Sequence, residues 1–271
     1  LVTRTKLYRI LLFLYHWYAS VKGFSEIKEG FEILAREKGS PEKARDYLRK
    51  LYIQDNPYPK SARQKLKEAD NSLYSKAHSR TMPYMESILR ERNYQDLFII
   101  DARSGDILFS VLKKNDYMTN LFSGQYRETN LARLFKTIAS AKEMGKEAFF
   151  YDFEPYSPSD GMPSGFLGTG IFLDGKIEGI LVLQMSLEEI NTKVSKSILQ
   201  NSGEKCYLVG SDFLLRTDYD SSSGNMSLKQ KVQTPSVREA LAGNSGVMVI
   251  EKGLSGKKVY NAYFPVRIAG N

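Results

Sequence analysis

Between residues 97 and 111 the chain alternates cleanly between apolar and polar stretches. Leu97-Phe98-Ile99-Ile100 runs into Asp101-Ala102-Arg103-Ser104-Gly105-Asp106, and Ile107-Leu108-Phe109-Ser110-Val111 comes next. Two runs of β-branched and aromatic residues around a Gly/Ser/Asp cluster predict an antiparallel hairpin. A weaker copy, KCYLVGSDFLLRTDY over 205–219, repeats the pattern about a hundred residues later. Two diverged copies predict two stacked modules of one kind.

Each copy leads into a similar order of elements. After the first hairpin come a polar loop, a helical stretch over 130–143, and apolar runs beginning at Phe149, Ser164 and Gly179. The last two runs flank Leu173-Asp174-Gly175-Lys176, and an Asp-Gly pair between apolar runs is a strong hairpin signal. After the second copy come a short helix over 236–242, the run GVMVIEK, a turn over 253–256 and KKVYNAYFPV. Hairpin, helical excursion and antiparallel strands, in that order, describe a PAS-like α+β sensor fold.

Ahead of the modules the pattern is helical. Leu7, Tyr8, Leu11, Leu14, Tyr15, Tyr18, Val21 and Phe24 recur in steps of three or four, the stripe of one long helix. Ser40-Pro41-Glu42 places an N-cap, a first-turn proline and an acid in the order that starts a second helix toward Lys50. Asp55-Asn56-Pro57-Tyr58-Pro59 breaks it, and helix is expected again over 61–89 with a disturbance at Pro83. The apolar run over 10–19 is about half the ~20 residues a bilayer crossing needs.

The segment LYSKAHSRTMPYMESILRERNYQDLFIID over 73–101 resembles the double Cache sensor domains of bacterial transmembrane receptors. The likeness continues through GDILFSVLKKNDYMTNLFSGQYRETNLARLF, YDFEPYSPSDGMPSGF, GILVLQM and CYLVGSDFLLRTD, covering 73–218. Such domains occur in methyl-accepting chemotaxis proteins and in membrane-bound nucleotide cyclases, kinases and phosphatases. The resemblance implies an α+β fold of three parts. Residues 1–92 form a helical stalk and helical insertion, 93–200 a membrane-distal PAS-like (Cache) module, and 201–271 a membrane-proximal PAS-like module that stops before its last strand. It also implies a periplasmic piece of an inner-membrane protein, excised from its membrane helices and its output domain, and a homodimer formed through the N-terminal helix.

Composition narrows the chemistry. With 42% hydrophobic residues in 271, the chain can bury a substantial core. The net charge of +8 comes with interspersed acids and no recognition motif, so a solvated surface near an anionic bilayer is expected and nucleic acid is not. The single Cys206 excludes an intrachain disulfide and, within an apolar run, is expected to be a buried thiol. His16 and His78 lie far apart and no paired-ligand spacing exists, so no metal and no cofactor are expected; His78 is expected to pack in the helix before the first module.

Sensors of this type hold ligands on one face of the sheet, and the distal module usually carries the pocket. By that analogy the candidate ligand residues are Asn120, Tyr126 and Arg127 after the first hairpin, and Tyr151, Asp152, Tyr156 and Phe166 from the next strand and its loop. Arginine can hold a carboxylate through two hydrogen bonds, aspartate can accept from an amine, and tyrosines can wall a cavity. A small organic ligand, carboxylate or amino-acid-like, fits those groups. Against ligand contact stands a packing role, with Arg127 paired to Asp152 and Tyr156 set in a rigid proline loop. The chain also lacks the Tyr, Arg and Trp at fixed helical spacing of amino-acid-binding Cache domains; Trp17 is in the stalk. Asp152 and Glu154, two apart on a strand, should share a face as paired carboxylates would, yet no nucleophile or dinucleotide loop completes a catalytic site. The expected function is extracytoplasmic small-molecule sensing for a cytoplasmic chemotaxis or cyclase output. The alternative is a non-catalytic module that dimerises or docks a periplasmic protein.

Overall fold

The computed structural model describes residues 4–141, 148–197, 205–218, 226–254 and 256–268, with side chains described from Val21 onward except at 92, 193 and 195–197. The apolar stripe at Leu7, Tyr8, Leu11, Leu14, Tyr15 and Tyr18 therefore lies outside the described side chains, although their backbone is helical.

Three helices lead the chain: α1 (Arg4–Lys38), α2 (Pro41–Arg49) and α3 (Leu73–Arg92). Ser40 caps α2 by accepting from the Lys43 N–H, with Pro41 in its first turn. Helix was expected again from residue 61, but 60–65 forms only a short 3-10 stretch and α3 begins at Leu73. The local reason is Asp70, whose carboxylate accepts from the Ser72 N–H and Oγ, while Ser72 caps α3 through the Ser75 N–H. Pro83, where a disturbance is expected, lies inside α3 and does not end it. Within the described residues no helix is long and apolar enough to cross a membrane.

A five-stranded antiparallel sheet comes next, built from β1 (Asp96–Asp101), β2 (Ile107–Ser110), β3 (Phe149–Tyr156), β4 (Met162–Leu173) and β5 (Lys176–Ser186) in the order β2-β1-β5-β4-β3. Both expected hairpins form. Asp101 closes the first by accepting from the Arg103 and Ser104 N–H groups, and Asp174 and Gly175 close the second with φ of 49° and 77°. Two consecutive positive φ values are what a two-residue turn matched to strand twist requires.

The sheet is covered on both faces, and strand periodicity sorts its residues. Leu97, Ile99, Leu181 and Leu183 point to the stalk, joining Phe24, Ile27, Phe31, Tyr74 and Met85 of α1 and α3. Phe98, Ile100, Ile180 and Val182 point the other way, onto Leu131, Leu134, Phe135 and Ile138 of α4 (Asn130–Ala139). The stalk lies flush on β5: a Cβ at Gly179 would sit 2.6 Å from the Phe24 ring, and one at Gly30 of α1 would sit 2.7 Å from the α3 backbone at Tyr74. Lys28 fixes the alignment by bridging to Asp101 at 2.9 Å and Glu178 at 3.1 Å. His78 packs as expected, its Nδ1 2.6 Å from the Lys67 carbonyl and its ring between Tyr52 and Phe109.

Helix α5 (Leu187–Ser197) leads to the C-terminal part, which holds α6 (Pro235–Leu241) and an antiparallel pair, β6 (Gly246–Ile250) and β7 (Val259–Tyr263). The second hairpin forms only isolated bridges, Val209 to Leu215 and Leu214 to Lys231, so the ladder stops where the first copy continues. Cys206 precedes those bridges and is exposed, not buried in a strand as expected. The core here is small, centred on Leu215, Val232 and Val237.

Candidate functional site

One end of the α4-facing sheet surface is polar. Asp96 begins β1 and pairs in register with Gln184 of β5, which pairs in turn with Phe166 of β4. Asp96, Gln184 and Phe166 are fully buried, as are Ser110 at the end of β2 and Ser164 of β4. The loop after β2, residues 111–129, folds over this strip and brings in Lys114 and Asp116. From the other side the turn after β3 supplies Ser159.

Hydrogen bonds tie these residues into three sets, which charge couples to one another. Lys114 Nζ donates to Ser159 Oγ at 2.9 Å and to Gln184 Oε1 at 3.3 Å. Gln184 Nε2 donates to Ser159 and Ser164 Oγ at 2.8 and 2.7 Å. Tyr156 OH donates to Asp116 Oδ2 at 2.6 Å, while Asp116 Oδ1, buried, has no partner among the described residues. A carboxylate oxygen in that position forfeits solvation without compensation, so it is the natural receiver for a donor brought from outside. Asp96 Oδ1 accepts from the Leu97 and Leu112 N–H groups at 2.8 and 3.1 Å, and its Oδ2 from Ser110 Oγ at 3.3 Å.

Burial dominates the electrostatics. It pushes the Asp96 carboxyl up to about 7, with the Lys114 charge opposing and the Asp116 charge adding. It raises Asp116 too, partly offset by the Tyr156 hydrogen bond and Lys114. Both buried carboxyls lie in the field of the Lys114 ammonium group, and Asp116 Oδ1 is the one oxygen of the two left for a donor-bearing guest.

Tyr156 reaches Asp116 only because β3 is irregular. Tyr151 pairs with Phe166 and Glu154 pairs with Ser164, so Asp152 and Phe153 together oppose the single Gly165. Strict alternation from Tyr151 would turn Tyr156 to the opposite face; the extra residue of this bulge reverses the phase, and Tyr151 and Tyr156 share the α4 side. The bulge is held by side chains. Asp152 Oδ1 accepts from the Phe153 N–H at 2.7 Å, and Asn130 at the start of α4 donates to the Asp152 and Ser164 carbonyls at 2.9 and 2.7 Å.

The seven candidates divide accordingly. Tyr156 and Phe166 are in the cluster, their rings edge to face with centroids 5.0 Å apart, and Tyr126 flanks it, half-buried, with the Asp116 charge acting on its hydroxyl. Asn120 instead staples its own turn, donating to Ser104 O and Asp106 Oδ1 and accepting from the Phe122 and Ser123 N–H groups. Tyr151 OH meets Thr137 of α4 at 2.7 Å. Arg127 is 54% exposed and pairs with Glu128, not with Asp152. Asp152 pairs with Arg216, and Glu154 pairs with Arg133, so the bulge separates the two carboxylates that alternation placed on one face. Missed altogether were Asp96, Lys114, Asp116, Ser159, Ser164 and Gln184. The Lys-Asn-Asp stretch in 114–116 read as ordinary loop, and a lone Asp or Gln inside an apolar strand was the one available signal of a buried polar site.

The loop carrying Asp116 is also gripped from the stalk. Arg49 of α2 donates from Nη1 to the Asn115 and Tyr117 carbonyls, and Arg63 donates to the Lys113 carbonyl at 3.3 Å. Between those contacts Lys113, fully buried on the stalk side, has its pKa driven down to about 7 by burial.

No family model matches the chain, and no curated protein does. The solved structures it resembles include ligand-binding domains of chemoreceptors. The ligand-binding domain of the Campylobacter jejuni chemoreceptor Tlp3, in complex with 4-methylisoleucine, is 12% identical over 91% of this chain and 86% of that one, with a TM-score of 0.45. The ligand-binding domain of the Pseudomonas aeruginosa amino-acid chemoreceptor PctC, in complex with GABA, is 16% identical over 80% and 90%, with a TM-score of 0.44. The ligand-binding domain of the Pseudomonas fluorescens chemoreceptor CtaA, in complex with L-serine, is 12% identical over 90% and 90%, with a TM-score of 0.41.

Proposed function

We propose that the chain is the extracytoplasmic sensing part of a transmembrane receptor and that its five-stranded module takes a small organic ligand at the Asp116 cluster. The carrying observation is the unpartnered Asp116 Oδ1, buried beside Tyr156, Asp96 and Lys114. Its chemistry favours a ligand that donates, an ammonium group above all, and Lys114 can pair with a carboxylate if the ligand has one. Because Asp96, Asp116 and Tyr156 are fully buried, entry to them requires the 111–129 loop to shift. Arg49 and Arg63 tie that loop to the stalk, so a ligand that prefers the shifted loop moves the α2 end of the stalk with it. Displacement of α1 against a second copy of the chain would carry the signal to a cytoplasmic chemotaxis, kinase or cyclase output.

The test is a thermal-shift panel of amines, amino acids, organic acids and purines, since a ligand that binds only the folded state raises the melting temperature. The expected result is a shift confined to ammonium-bearing compounds and lost in Asp116→Asn. A shift that survives Asp116→Asn discards this cluster as the ligand site.

A second reading, a non-catalytic protein-docking or dimerisation module, draws on a different observation. Val247 and Tyr260, 71% and 84% exposed, lie on one face of the β6–β7 pair, with Phe264 beyond it 66% exposed. A monomer by sedimentation, with a specific small-molecule thermal shift, would set that reading aside.

A further inference from the structure

The bulge that aims Tyr156 at the cluster is clamped from the other module. Arg216 lies just past the second hairpin's bridge and is 8% exposed at its side chain, in contrast to Asp152, which is 42% exposed. Its Nε lies 3.1 and 3.2 Å from the two Asp152 carboxylate oxygens and one Nη lies 2.8 Å from Oδ2; that Nη also reaches Asp212 at 3.0 Å. The other Nη donates to the Leu214 carbonyl at 2.9 Å. A fork saturated in this way has one orientation, and Gly210 leaves room for it: a Cβ there would overlap the guanidinium. Burial disfavours the charge, but the hydrogen bonds to Asp152 and Asp212 outweigh it and raise the Arg216 pKa.

We infer that the Arg216–Asp152 clamp is the mechanical link between the ligand cluster and the C-terminal module. Arg216 is a positioning residue that acts through the β3 bulge. The chain of contacts is short: Arg216 holds the Asp152 carboxylate, that carboxylate holds the Phe153 N–H, and the bulge so fixed sets the face on which Tyr156 emerges. Tyr156 then holds Asp116 and, with it, the loop gripped by Arg49. A second tie runs elsewhere: Asn191 of α5 accepts from the Asp218 N–H at 2.9 Å. It touches neither the bulge nor the cluster.

Hydrogen–deuterium exchange on the whole chain separates the two ties. Arg216→Ala should speed exchange about tenfold or more in 153–161 and in 112–118, both in the module that does not carry the mutation, and Asn191→Ala should leave those segments at the wild-type rate. Arg216→Lys, which keeps the charge but loses the fork, should fall between. Should Arg216→Ala unfold the C-terminal module, Asp152→Ala cuts the same clamp from the other side and should raise exchange in 112–118 and in 208–216. Unchanged exchange in 112–118 in both clamp variants, or an equal rise in Asn191→Ala, overturns the inference. The role assigned to Tyr156 rests on the cluster being the ligand site, but exchange needs no ligand. A failed clamp therefore leaves the sensing proposal standing, and a failed ligand panel leaves the clamp standing.

Discussion

Replacing Asp96 by asparagine tests the electrostatic reading of the cluster. The amide preserves the geometry: its oxygen can accept from the Leu97 and Leu112 N–H groups, and its nitrogen can donate to Ser110 Oγ, as a protonated carboxyl does. What changes is the titration. Burial lifts the Asp96 pKa from an ordinary 3.8 to about 7, roughly three units. At about 1.4 kcal/mol per unit, the folded state pays up to about 4 kcal/mol to hold this carboxylate ionised. Proton counting gives the sign. Between about pH 4 and pH 7 the folded chain keeps a proton that the unfolded chain has released, so this group's contribution to stability falls as pH rises through that window and is flat above it. Lys113, with its pKa lowered to about 7, acts in the window above, where the folded state has lost its proton and stability rises with pH. Urea unfolding of wild type and Asp96→Asn across this range should therefore show little difference near pH 4. The variant should gain steadily to about 4 kcal/mol near pH 7, with other titrating groups common to both chains. A difference that does not vary with pH, or that shrinks as pH rises, refutes the argument.

Packing and hydrogen bonding set three further outcomes. Tyr156→Phe removes the side-chain partner of Asp116 Oδ2 and should cost about 1–3 kcal/mol by urea unfolding, the range for leaving a buried polar group unsatisfied; a loss below about 0.5 kcal/mol would contradict the contact. Gly30→Ala sets a methyl against the α3 backbone at Tyr74, which cannot swing aside as a side chain can, and should cost about 1–3 kcal/mol in the same assay. Arg127→Ala removes only an exposed pair with Glu128 and should change stability by less than about 0.5 kcal/mol and leave any ligand-induced thermal shift in place. Loss of the shift in that variant would return Arg127 to the ligand site.

The local parts of this fold were written in short stretches of chain. The 97–111 hairpin, the Asp174-Gly175 turn and the Ser40-Pro41 helix start each depend on the conformational preferences of a few neighbouring residues, and each stands where the pattern placed it. The start of α3 differs from the pattern because the Asp70–Ser72 cap sets it at Leu73 instead of residue 61, and the second hairpin is shorter than the pattern predicts because apolar alternation does not encode how far a ladder extends. Of the proposed ligand cluster, Tyr126, Tyr156 and Phe166 are the residues the sequence pattern also picks out. Arg127 carries charge yet stands in solvent, while the cation of the cluster is the half-buried Lys114 and the arginine that pairs with Asp152 lies 64 residues away. One bulged residue reversed the phase of β3, left Asp152 facing Arg216 and turned Tyr156 inward. Sequence alone determined which segments are strand and helix, because those preferences are local. The tertiary structure decided which polar groups are sealed together beneath the loop, because desolvation and pairing depend on what arrives from distant parts of the chain.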